Sequence, residues 1–197
     1  MRATARFAAF ASLSLFAGLA ACNAPDAPPA PALPSAASTY TLSTADAAFL
    51  QQVDGMDLTQ ISIASLAATH SNSDVVKAFA STVVSDHTTN RKAVAKIATD
   101  SHLTVTDKLN AGDEEHVASF GHLYGTSFDR VFLSEIKSVQ TPALTNALTT
   151  ATQSGGTADI KTLAGDTTKM LKDHTTRAND LSGAKTVKGH HHHFGRH

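Results

Sequence analysis

The chain has 197 residues, a formal net charge of −1, a single cysteine, no tryptophan and 6% aromatic residues. One cysteine excludes an intramolecular disulfide, and a near-neutral charge excludes the basic stripe of a nucleic-acid binder, so no nucleic-acid partner is expected. A composition rich in alanine and threonine suits helices packed closely through small side chains rather than a β-sandwich.

Arg2 and Arg6 precede the apolar stretch 7–18, and Leu19-Ala20-Ala21-Cys22 follows it. Charged, apolar and small residues in that order make a secretory leader. The apolar stretch is too short to span a bilayer, which takes about 20 residues. Its end reads as a lipobox. Residues 1–21 are therefore expected to be a signal peptide, with Cys22 as the acylated N-terminus of a lipoprotein. Acyl chains anchor a domain because each buried CH₂ contributes about 0.8 kcal/mol. The expected partner of Cys22 is thus the membrane. Asn23 stands where an aspartate would favour the inner membrane, which points to the outer membrane and a domain facing the periplasm. Losing the leader removes two of the 16 basic residues and none of the 17 acidic ones, leaving a mildly acidic protein. Residues 22–40 carry Pro25, Pro28, Pro29, Pro31 and Pro34 and read as an extended linker.

The folded domain is expected over 41–183. Helix A starts at Ser43, with Asp46 three residues on as in a capping box. Phe49, Val53, Met56, Gln60, Ile63 and Ala67 then recur on one helical face. Ser71 with Asp74 signals the start of helix B, whose stripe is Val76, Phe79, Val83, His87, Val94 and Ala98. The connection that follows is long, with a short extra helix over 113–123 ended near Gly125. Helix C carries Phe128, Phe132, Ile136, Val139, Leu144 and Leu148, with Pro142 inside it to kink or break it. Helix D runs from Ala158 through Ile160, Leu163, Met170, Leu171, His174, Ala178 and Leu181 to a stop at Gly183. Four amphipathic helices predict an all-α, antiparallel four-helix bundle. Residues 184–197 follow as a histidine-rich tail.

A motif repeats within these helices. Ser85-Asp86-His87-Thr88-Thr89 on helix B recurs as Lys172-Asp173-His174-Thr175-Thr176 on helix D, with Arg91 and Arg177 one turn beyond in the two cases. Both histidines fall on the apolar stripe. Together with Phe79-Ala80, Phe128-Asp129-Arg130 and the lipoprotein leader, the motif resembles the bacterial family of domain of unknown function 4142, over about residues 45–182. That resemblance implies a ferritin-like fold and a cell-envelope location, with no established activity. It also implies a glutamate on helix A, where Gln60 and Ser62 stand, and a histidine after the Phe-Asp-Arg segment, where Gln140 stands.

A ferritin-type di-metal centre needs Glu-x-x-His pairs, whose spacing aims carboxylate and imidazole at one ion. The glutamates are Glu114, Glu115 and Glu135, and none stands three residues before a histidine. Asp86 and Asp173 sit beside their histidines, about 100° away around the helix, and cannot share an ion with them. The leading expectation is that the motifs are structural, each histidine bonding across the bundle and Asp173 pairing with Arg177. The alternative is a metal site for Zn, Cu or Ni on His87 and His174, with Gln140 or Asp129 as a third ligand. The tail residues His190, His191, His192, His193 and His197 would add a second, exposed patch of imidazoles. His70, His102, His116 and His122 read as solvated. No catalytic motif occurs, so the expectation is a lipid-anchored, non-enzymatic envelope bundle with a structural or protective role and no obligatory cofactor.

Overall fold

The computed structural model describes residues 41–187 in backbone and 41–183 in side chains. The leader, Cys22, the proline-rich linker and the histidine tail lie outside the described residues. The described residues are all-helical: α1 (Thr44–His70), α2 (Asp74–Asp100), α3 (Ala111–Phe120), α4 (Gly125–Ser138), α5 (Pro142–Ser154) and α6 (Ala158–Val187).

Local chemistry sets the helix boundaries. Ser43 caps α1 by accepting from the Asp46 amide at 3.0 Å while its hydroxyl donates to the Asp46 carboxylate at 2.8 Å. That satisfies an amide with no partner inside the helix, at about 1 kcal/mol. Asp46 also accepts from the Gly156 amide at 3.2 Å, tying the start of α1 to the α5–α6 turn. The cap of α2 is Ser73, which accepts from the Val76 amide, and not the expected Ser71. Ser71 instead donates to the buried Asp129 of α4. The short helix of the long connection begins earlier than expected, where Asn110 caps it, and ends at Phe120. Gly125 is no stop. It opens α4 at φ 57°, where a side chain would be strained and its Cβ would lie 3.2 Å from Asn72.

The single expected helix C is two helices. Pro142 is the first residue of α5, where its missing N–H costs no helical bond, and Thr141 caps that helix by accepting from Leu144. Gly183 does not end the last helix, which continues to Val187.

The interior has two apolar clusters. One gathers Ile63, Ala67, Val76, Phe79, Val83, Phe128, Phe132, Ile136 and Ala178. The other gathers Phe49, Leu50, Val53, Val94, Ile97, Leu144, Leu148, Ile160, Leu163 and Leu171. Along α1 the buried polar residues Asp54, Asp57 and Gln60 lie between the two sets, and along α2 His87 and Asn90 do the same. A polar layer therefore divides the core. Each large apolar side chain fully buried on either side contributes about 1.5–3 kcal/mol.

The α5–α6 turn provides a test. A Cβ on Gly155 would lie 2.5 Å from both the Ala151 carbonyl oxygen and the Ile160 side chain, whereas one on Gly165 meets nothing within 4 Å. Urea unfolding should show Gly155→Ala destabilised by about 1–3 kcal/mol, and Gly165→Ala stabilised by about 0.5–1 kcal/mol.

Candidate functional site

Three helices build the polar layer. Asp54, Asp57 and Gln60 follow one another at three-residue steps on α1 and so share a face. His87, Asn90 and Arg91 occupy the facing turn of α2, and Thr167 and His174 lie two turns apart on α6.

The bonds run between helices. The His87 Nδ1 atom donates to Asp57 Oδ1 at 2.6 Å, with both side chains essentially out of reach of water. Asn90 donates to the other Asp57 oxygen at 2.9 Å, and its own oxygen lies 3.1 Å from the Thr167 hydroxyl, which it shares with the Leu163 carbonyl at 2.7 Å. Arg91 spans Asp54 through Nε at 2.8 Å and Nη2 at 3.2 Å, and Nη2 also donates to the Thr106 carbonyl at 2.9 Å. The His174 Nε2 atom meets Asp86 Oδ2 at 2.9 Å. The two aspartates of the layer on α1 thus each have a donor on α2, as buried carboxylates require.

The two imidazoles meet. Their ring centres are 5.3 Å apart and tilted by 47°. Each has one nitrogen committed to a carboxylate, and an ionised carboxylate only accepts, so those nitrogens carry the protons. In a neutral ring the opposite nitrogen then holds a lone pair. His174 Nδ1 is buried with no hydrogen-bond partner. Among the described residues no hydrogen bond reaches His87 Nε2. Two imidazoles, each oriented by an aspartate of another helix, therefore lie side by side, both buried. The same outer-shell arrangement orients metal-binding histidines.

Burial dominates the titration. It pushes Asp57 above its ordinary value of 3.8, against the opposing pull of His87 and Asn90. It pushes His174 below its ordinary 6.5, with Asp86 opposing the shift and His87 adding to it. A proton is thus disfavoured at His174. The pair reaches the surface through His174 and Asp86, which line a groove of about 580 Å³ between α2 and α6 together with Phe79, Asp173 and Arg177. Asp86 is half-exposed there.

Several expectations are revised. Asp173 pairs with Lys169, at 2.7 Å, and not with Arg177, because the lysine one turn earlier reaches it on the same exposed face. Lys169 correspondingly holds Asp173 below its ordinary pKa. Arg91, one turn beyond His87, pairs with Asp54 at 2.8 Å. Neither expected third ligand joins the pair: Gln140 donates to Thr175 at 3.0 Å, and Asp129 is engaged by Ser71. His70 is not simply solvated, for Tyr124 stacks on it at 4.4 Å and it spans the Leu66 and Gly121 carbonyls. His116 pairs with Glu135 at 3.2 Å.

Asp54, Asp57, Asn90 and Thr167 belong to the site although the sequence reading passed them over. The available signal was two aspartates, Asp54 and Asp57, next to an otherwise apolar helical stripe. Among the described residues no group of three or more His, Cys, Asp or Glu side chains could hold a metal ion, so these residues do not fit a ferritin-type di-iron centre. No described helix is long and apolar enough to cross a membrane.

Fold and site define an all-helical protein with a buried histidine–carboxylate layer. Residues 31–181 match the family described as domain of unknown function (DUF4142), and the chain belongs to that family. No curated protein and no solved structure matches the chain.

The lowered pKa of His174 has a sign that can be checked. The unfolded chain takes up a proton near 6.5 and the folded chain resists it, so stability is lost as pH falls below 6.5, by up to about 1.4 kcal/mol per unit. Urea titrations at neutral and mildly acidic pH should show this loss in the native protein and a smaller one in His174→Gln.

Proposed function

We propose that this protein is a lipid-anchored component of the bacterial cell envelope, facing the periplasm from the outer membrane. In this reading its ferritin-like, antiparallel four-helix bundle holds one imidazole-seeking metal ion, zinc, copper or nickel, on His87 and His174. It stores or withholds the ion and has no reaction of its own to catalyse. The observation that carries the reading is the buried, unpartnered His174 Nδ1 on a ring 5.3 Å from that of His87. Two imidazoles bound to one tetrahedral ion, with bonds of about 2.0–2.1 Å, have ring centres about 5 Å apart. Two protein ligands leave further positions for water or a transferred ligand, which suits an ion that is exchanged. Imidazole donors suit Zn, Cu and Ni. The tail imidazoles His190, His191, His192, His193 and His197 would raise the local supply of the same ions.

A second reading, in which the Asp-His pairs only brace the bundle, has its own support. Asp57–His87 joins α1 to α2, and Asp86–His174 joins α2 to α6. A brace, however, has no use for an unpartnered His174 Nδ1, which carries a desolvation cost of about 1–3 kcal/mol.

Metal analysis of purified protein with residues 189–197 deleted separates the two. The metal reading expects one equivalent of Zn, Cu or Ni, lost in both His87→Ala and His174→Ala while helical circular dichroism persists. A deleted protein that binds none leaves the brace alone standing. For the anchor, Cys22→Ser should abolish lipid labelling and release the protein from membranes. Undiminished labelling would refute acylation at that residue.

A further inference from the structure

A second unsatisfied group lies in the groove between α1, α3 and α4. Gln60 is only 2% exposed. Its Nε2 donates to Glu135 Oε1 at 3.0 Å, and its Oε1 has no partner. The amide cannot be turned round, since a flip would set its oxygen against a carboxylate oxygen. The unpartnered atom is therefore an acceptor. Glu135 is held from the other side by His116, 3.2 Å from Oε2.

The described walls carry two acids, Asp113 and Glu135, against one base, His116. The groove encloses about 520 Å³ and is lined by Gln60, Asp113, His116 and Glu135, with no lysine or arginine among the described residues on its walls. The hydroxyls of Thr59 and Ser138 are spent on carbonyls of their own helices. A buried carbonyl beside a carboxylate, in a groove carrying a second acid, calls for a compact cation with N–H donors. A metal ion fits less well, because no group of three or more His, Cys, Asp or Glu side chains that could hold one exists among the described residues. A neutral alcohol would leave the charge unused.

We propose that this groove binds the primary ammonium group of an aliphatic amine, with Gln60 Oε1 and Glu135 as its acceptors. The site is independent of the histidine pair and stands or falls without it. The ammonium completes the hydrogen bonding of Gln60 and forms a charge-assisted bond with Glu135.

The test is calorimetric titration of the full chain with n-butylammonium chloride, with tetramethylammonium and Mg²⁺ in parallel. Butylammonium should bind with an affinity that falls as salt rises, and tetramethylammonium, which has no N–H, should not bind. Gln60→Leu and Glu135→Gln should each weaken binding about tenfold or more. Helical circular dichroism and thermal unfolding of Gln60→Leu, both expected close to those of the parent protein, keep a folding defect from mimicking the result. Equal binding of the two ammonium ions, binding of Mg²⁺ instead, or no binding, which would mean that only water serves Gln60, would overturn the proposal.

Discussion

The bundle depends on a conflict between burial and charge. Asp54 and Asp57 are nearly or wholly inaccessible to water, on a helix whose neighbouring turns are apolar. An ionised carboxylate in such a place costs several kcal/mol unless donors meet it. The donors come from α2, where His87, Asn90 and Arg91 occupy one turn. Sliding α2 along α1 by one turn would leave the aspartates unpaired while keeping apolar side chains against one another. The polar layer therefore selects one register among several that hydrophobic contact alone would allow. Asn90 extends the same selection to α6 through Thr167.

The break at Pro142 lies along the chain where its neighbours change clusters. α4 supplies Phe128, Phe132 and Ile136 to one cluster, and α5 supplies Leu144 and Leu148 to the other. Between them Gln140 donates to Thr175, the residue after His174. The interruption thus puts a polar side chain against α6 beside the histidine and restarts the helix with a threonine cap. What the layer leaves over is as informative as what it satisfies. Nearly every buried polar side chain of the described residues has a partner. The exceptions, His174 Nδ1 and Gln60 Oε1, are both acceptors without a donor.

Much of the all-helical fold was legible in the sequence. Three- and four-residue spacing located the long helices, and Ser43, Pro142 and the Asp-His repeat each marked a real feature. Boundaries set by tertiary contacts were not legible. Ser71 looks as good a cap as Ser73 until Asp129, 58 residues on, claims its hydroxyl. Gly125 looks like a stop until its positive φ places it at the start of α4. The histidines were legible as inward-facing, but their partners were not. Asp57 and His87 are 30 residues apart, and Asp86 and His174 are 88 apart, so only the fold reveals that each histidine takes a carboxylate from another helix and not its sequence neighbour.

The central claim is that each ring keeps one nitrogen as a lone pair because an aspartate holds the proton on the other. Nitrogen-15 NMR of the metal-free protein at neutral pH reads this directly. The account predicts opposite neutral tautomers, His87 protonated at Nδ1 and His174 at Nε2. A doubly protonated ring, or a lone pair facing Asp57 or Asp86, would contradict it.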